Sequence, residues 1–162
     1  MNIAVLCISD SAFAGKREDL SGPLIIDIMR EMARSTYYGC VPDEQDQISV
    51  ELVRLCDEEK VDIILTTGGT GFAPRDVTPE ATLSVLDRQV PGIPEAMRQK
   101  SLAITPRSML SRAVAGIRGE TLIINLPGSP KAVKENLETV LPILNHAVEL
   151  IHGRVENCAA DK

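Results

Sequence analysis

The stretch Thr66-Thr67-Gly68-Gly69-Thr70-Gly71-Phe72-Ala73-Pro74-Arg75-Asp76-Val77-Thr78-Pro79-Glu80 holds the densest chemistry in this chain. Its three glycines let backbone N–H groups approach an anion closely, because no Cβ stands in the way. Thr78-Pro79 signals a helix start, and a helix N-terminus adds partial positive charge. Asp76 then places a carboxylate beside a site suited to phosphate. That pairing makes sense when a divalent cation sits between them. The segment points to phosphate chemistry. It is not a Walker A loop, since no G-x-x-x-x-G-K-[ST] occurs anywhere. Nor is it the dinucleotide fingerprint, since Pro74 stands where the third glycine would fall. A G-G-T-G turn can also be only a tight connection. An Asp two residues before a Thr-Pro start can simply favour the helix dipole.

Other polar residues have two readings each. Asp43 follows Pro42 and precedes a helical pattern, so the spacing predicts an N-cap. A cap uses one carboxylate oxygen and leaves the other for a ligand. Ser129 before Pro130 fits N-cap and N1, and the same geometry presents free N–H groups to a phosphate. Asp10-Ser11 closes an apolar run and reads as an Asx-type turn. Arg112 and Arg118 read as solvated, and His146 and His152 as structural. Cys7, Cys40, Cys56 and Cys158 contain no C-x-x-C pair, which disfavours zinc. Cys7 and Cys56 read as small buried hydrophobes.

Strands and helices must hold these loops. Asn2 to Ile8 is a continuous apolar run, the mark of a strand buried on both faces. Ser9 to Leu20 reads as a loop. Gly22-Pro23 opens a helix with Leu24, Ile25, Ile28, Met29 and Met32 along one stripe. Tyr37 to Val41 is a strand interrupted at Gly39. A helix follows with Ile48, Leu52 and Leu55 on one face, then a strand from Val61 to Leu65. Glu80 to Leu86 reads as helix. Pro91 to Pro94 breaks the pattern, and Glu95 to Leu102 resumes it. Ala113 to Arg118 and Thr121 to Leu126 form a hairpin around Gly119. Pro127-Gly128-Ser129-Pro130 leads into a long helix that contains Pro142. The expected fold is α/β: a three-layer αβα sandwich with a mainly parallel central sheet and a hairpin in the C-terminal half. In such folds ligands bind beyond the carboxyl ends of the strands. The loops at Asp10, Asp43, Gly68 to Asp76 and Pro127 to Ser129 all follow strands, so a parallel sheet brings them to one edge.

Size and charge narrow the function. The 162 residues suit one domain, expected over residues 1–153 with a polar tail over 154–162. The net charge of -6 argues against nucleic acid. The aromatics are only Phe13, Phe72, Tyr37 and Tyr38, too few for a base-stacking platform. No signal peptide and no membrane-length apolar run is recognised, so a cytoplasmic protein with reduced thiols is expected.

Taken together the motifs resemble the molybdopterin adenylyltransferase family of molybdenum-cofactor biosynthesis. That family includes free-standing bacterial enzymes and domains of the fused plant protein and of animal gephyrin. The resemblance rests on Ser9-Asp10, Asp19-x-Ser21-Gly22-Pro23, Pro42-Asp43-Glu44, Thr67 to Gly71 and Arg75 to Thr82. It rests also on Leu110-Ser111-Arg112, Ala115 to Gly119 and Asn125 to Pro130, so it spans about Ile3 to His152. It implies transfer of AMP from ATP to the terminal phosphate of molybdopterin, with pyrophosphate released and Mg2+ required. It implies that Asp43 and Asp76 are the key aspartates and position the metal, that Thr70 is the glycine-loop threonine, and that Glu95 matches a glutamate of bacterial members. Asp10, Ser11, Gly68, Gly69, Gly71, Ser111, Pro127, Gly128 and Ser129 complete the implied ligand-binding set. A homotrimer and a downstream metal-inserting partner are implied as well. The alternative is a non-catalytic pterin-binding or scaffold protein of the same fold.

Overall fold

A computed structural model describes residues 1–154, so the expected polar tail beyond Arg154, with Cys158, lies outside the described residues. Strands β1 (Asn2–Ile8), β2 (Arg34–Val41), β3 (Ile63–Thr67) and β6 (Thr121–Leu126) pair in parallel. Strand β5 (Ala115–Arg118) returns antiparallel to β6, and the short β4 (Arg88–Gln89) pairs antiparallel with β5. The strand order is β2-β1-β3-β6-β5-β4. Gly119 turns the β5–β6 hairpin with φ +54, a conformation that favours glycine.

Period-two alternation sorts each central strand between two helix layers. Ile3, Val5, Ile63, Leu65, Leu122 and Ile124 face one layer. That layer holds α2 (Ser21–Met29), α5 (Gly92–Leu102) and α6 (Pro130–Ile151). Ala4, Leu6, Ile64 and Ile123 face the other, with α3 (Gln45–Asp57) and α4 (Thr78–Val85). Both faces are covered, which is why these strands read as unbroken apolar runs. The expected three-layer fold is therefore observed.

Helix α6 runs through Pro142, at a cost of about 3 kcal/mol or more for a lost bond and a clash. It also buries Val133, Leu137, Val140, Leu144 and Val148. Each such side chain contributes ~1.5–3 kcal/mol, so packing outweighs the proline.

Several local expectations need correction. Ser9 to Leu20 is not all loop: α1 (Asp10–Phe13) forms one turn, with Ser9 Oγ accepting from Ala12 N at 3.3 Å. Strand β2 begins at Arg34 and continues through Gly39, which pairs with Leu6. Its missing side chain leaves room for the Tyr37 hydroxyl. Helix α5 begins at Gly92, because Pro94 falls in a first turn where no N–H is needed. A 3-10 turn at Pro106–Leu110 was not legible. Cys7 and Cys56 are buried free thiols as expected, and Cys40 is half-buried. Among the described residues no helix is long and apolar enough to cross a membrane.

Candidate functional site

The four parallel strands end at one edge of the sheet, and the loops that follow them converge there. Ser9 after β1, Asp43 after β2, Gly68 and Asp76 after β3, and Gly128 and Ser129 after β6 line one cavity of about 350 Å3. The glycine loop reaches this position because only glycine fits. Gly68 has φ +105, and a Cβ there would collide with the Ile8 carbonyl oxygen. Gly69 has φ +62, and a Cβ there would collide with Thr78 Oγ1. Thr78 instead fastens the loop to α4, its Oγ1 donating to Gly68 O at 3.0 Å and its N to Gly69 O at 3.1 Å. The N–H groups of Gly69, Thr70 and Gly71 have no protein acceptor among the described residues. Ser129 caps α6 by accepting from Ala132 N at 3.3 Å, so that helix presents its N-terminus to the same cavity.

Asp43 does not cap α3. The helix starts at Gln45, its N-cap position is Glu44, and no side chain bonds there. Asp43 sits one residue too early and reaches across to the loop after β1. Asp10 N donates to Asp43 Oδ2 at 2.8 Å, and Asp43 N donates to Asp10 Oδ1 at 3.0 Å. The expected Asx turn at Asp10 is likewise replaced by this reciprocal pair. Arg75 grips Asp10 with two bonds, both 2.9 Å, and reaches Glu44 at 2.8 Å. One arginine thus ties the loops after β1, β2 and β3 together.

The electrostatics follow. Hydrogen bonding from Arg75 holds the Asp10 carboxyl below its usual range. Asp43 is pushed up instead, first by burial, then by the charges of Asp10 and Asp76, against the opposing pull of the Asp10 N–H and Arg75. Removing a proton from Asp43 therefore builds negative charge in a poorly solvated place, an arrangement that a cation would relieve. Asp76 Oδ2 accepts from Ala73 N at 2.9 Å. Each aspartate keeps its Oδ1 without a protein donor among the described residues. Two hard carboxylate oxygens on one cavity fit a small divalent cation. No group of three or more His, Cys, Asp or Glu is arranged to hold a metal among the described residues. Substrate oxygens and water would have to complete the coordination, as is usual for Mg2+.

The expected ligand set divides between two cavities. Thr70, Gly71, Ser111 and Pro127 line a second cavity of about 240 Å3, next along the glycine loop from Gly68 and Gly69, which line the first. Asp10 and Ser11 line neither, and Asp10 acts through Asp43. Glu95 is exposed in the first turn of α5 and also lines neither.

Four residues contribute in ways not foreseen from sequence. Arg112 is not solvated: its Nε donates to Gly71 O at 2.7 Å, and its terminal nitrogens reach Glu80 and the Asp76 carbonyl. Arg118 is not solvated either, since it grips both Asp57 carboxylate oxygens at 3.0 and 2.6 Å. Asp19, one residue before the N-cap Leu20, accepts from Ser21 N at 2.8 Å and Gly22 N at 3.1 Å and so satisfies the first free N–H groups of α2. Ser21 Oγ then donates to Gly128 O at 2.9 Å and pins the loop after β6. The D-x-S-G-P spacing carried the signal for Asp19 and Ser21. The Leu110-Ser111-Arg112 and Ala115 to Gly119 motifs contained the two arginines, but nothing local marked their partners.

Comparisons with known proteins agree with this geometry. A family described as a probable molybdopterin binding domain matches residues 4–146. A molybdopterin adenylyltransferase of Helicobacter pylori is 47% identical over 156 residues, covering 94% of this chain and 89% of the relative. Gephyrin of Dictyostelium discoideum is 46% identical over 163 residues, which is 94% of this chain but 23% of that longer protein. The crystal structure of the molybdopterin biosynthesis enzyme MoaB from Thermus thermophilus superposes with a TM-score of 0.89 at 49% identity, covering 94% of this chain and 96% of that one. The match runs across the glycine loop and all four strand ends, and the chain belongs to the molybdopterin-binding domain family of molybdenum-cofactor biosynthesis.

Proposed function

We propose that the protein is a molybdopterin adenylyltransferase. The terminal phosphate of molybdopterin attacks the α-phosphorus of ATP, a P–O–P link forms, and pyrophosphate leaves. One observation carries this reading: two aspartates from different strand ends share a cavity with a glycine loop and a helix N-terminus. Relatives with high identity named for this activity support it.

Asp43 and Asp76 would hold Mg2+, which when bound offsets phosphate charge and polarises the reacting phosphoryl group. The unpartnered N–H groups of Gly69 to Gly71 and the start of α6 receive phosphate oxygens. Gly68 and Gly69 line the first cavity and Thr70 and Gly71 the second, so ligands in each meet at this loop. Fixing two anionic partners there turns a repulsive encounter into an aligned in-line displacement. No general base is needed, because the attacking phosphate is already an anion. The test is pyrophosphate release from ATP. It should require both molybdopterin and Mg2+, and a chelator should stop it. Binding of molybdopterin without any release would leave a pterin-binding module and overturn the enzyme reading.

The assembly we propose is a cytoplasmic homotrimer that passes its product to a metal-inserting enzyme. The loops after β1, β2, β3 and β6 meet at one end of a single sheet, and on that ground each subunit is expected to hold a complete site. Light scattering should give three times the chain mass. Mixing Asp76→Asn subunits with wild type should lower activity only in proportion to dilution. A steeper loss would show that subunits share sites.

A further inference from the structure

Residues 111–114 join the 3-10 turn to β5 without regular structure. Arg112 ties this segment to the glycine loop, its N donating to Thr70 O at 2.9 Å. The half-buried Arg112 side chain then reaches into the loop after β3. Its Nε donates to Gly71 O at 2.7 Å, one terminal nitrogen to Asp76 O, and the other to a Glu80 carboxylate oxygen. One planar fork thereby holds the carbonyls at both ends of the turn from Gly71 to Asp76. Inside that turn Ala73 N donates to Asp76 Oδ2, and Asp76 N donates to Ala73 O, both at 2.9 Å. The carboxylate lies against the glycine loop itself, since a Cβ on Gly71 would stand 2.8 Å from Asp76 Oδ2. Asp76 is thus fixed through its carbonyl by Arg112, and through its N–H and Oδ2 by Ala73. Its Oδ1 is left free among the described residues.

Arg112 lines neither the first cavity nor the second. Its three guanidinium nitrogens already have protein acceptors, and Glu80 balances its charge. It is therefore placed to act through Asp76 rather than on a phosphate directly. Without the fork, the Gly71 and Asp76 carbonyls lose their shared donor, and the turn that holds the carboxylate can open. Lysine cannot replace it, because a single ammonium is a point charge and does not span two carbonyls in one plane. We propose that Arg112 is a positioning residue for the Asp76 carboxylate, closing its turn so that Oδ1 stays in place for a divalent cation beside the glycine loop. The assignment rests on the adenylyltransferase reading above and deepens it by naming what fixes its metal-binding carboxylate.

The test compares the full wild-type chain with Arg112→Lys and Arg112→Ala. Arg112→Lys keeps a positive charge opposite Glu80 and loses the fork. It should lower kcat about tenfold, the scale of a lost hydrogen bond to a charged group. The Mg2+ concentration for half-maximal pyrophosphate release should rise by a similar factor, while the KM for molybdopterin stays unchanged. Arg112→Ala should lose more. Free guanidinium ion, well below denaturing concentrations, should restore part of its kcat, which a merely destabilised protein would not show. Two readouts need no turnover. Mn2+ binding in the presence of ATP, followed by electron paramagnetic resonance, should weaken about tenfold in Arg112→Lys. Amide exchange at Ala73 and Asp76 should quicken in that variant while exchange in β3 does not. Wild-type kcat and Mg2+ requirement in Arg112→Lys, a raised molybdopterin KM at constant kcat, or unchanged exchange at Ala73 and Asp76 would each overturn the assignment. Absence of pyrophosphate release by wild type would sink the adenylyltransferase reading alone, since Mn2+ binding and amide exchange still decide on Arg112.

Discussion

Asp76→Asn will lower the rate of pyrophosphate release by about two orders of magnitude or more while the protein stays folded. The expectation comes from the position of Asp76 at the end of the glycine loop, with Oδ2 bonded to Ala73 N and Oδ1 free among the described residues. Asparagine keeps the acceptor oxygen for the Ala73 N–H, so the turn survives. It removes the charge that balances a cation against phosphate. Losing metal positioning should remove at least ~2–3 kcal/mol of transition-state stabilisation. That is roughly 30- to 150-fold, and more where the cation is lost entirely. Single-turnover kinetics and thermal melting on the same preparation separate chemistry from folding. Near-normal turnover would remove Asp76 from the catalytic assignment.

Asp43→Ala separates two roles that sequence alone left open. A capping aspartate would take ~1 kcal/mol of stability with it and leave turnover intact. The structure has no cap to lose, because α3 begins at Gln45 and the Asp43 carboxylate bonds Asp10 N instead. Alanine orphans that one N–H. It also relieves a carboxylate pushed up by burial and by its acidic neighbours. The two effects oppose each other, so the melting point should move by no more than ~2–4 °C, the shift expected for about 1 kcal/mol at this size. Turnover should collapse as it does for Asp76→Asn. A clear drop in melting point with kinetics unchanged would return Asp43 to a structural role.

These expectations depend on facts that lie at different distances along the chain. Local chemistry determined the glycine loop, since the backbone at Gly68 and Gly69 is one that favours glycine. It also determined the helix starts at Thr78-Pro79 and Ser129-Pro130, where proline at N2 of α4 and N1 of α6 forfeits no hydrogen bond. Unbroken apolar runs marked β1 and β6 as central strands, because a strand covered on both faces has no polar side. Strand order then placed four loops at one edge, and the cavity formed there.

What sequence could not reach were bonds whose partners are remote along the chain. Asp10 and Asp43 lie 33 residues apart, and Arg75 and Asp10 lie 65 apart. No periodicity encodes such pairs, and they arise only when adjacent parallel strands end side by side. The error at Asp43 was a shift of one residue in a helix boundary, enough to turn a cap into a cross-loop acceptor. Arg112 looked solvated for the same reason, since its acceptors sit in a loop that packing alone brings near. The second cavity needed α5, α6 and the 3-10 turn together, so its existence was not visible in the sequence. Residue types determined by themselves which chemistry was available, because backbone freedom and ionisable groups are local properties. Only the tertiary structure decided which groups face one another, because that depends on how the sheet stacks its strand ends.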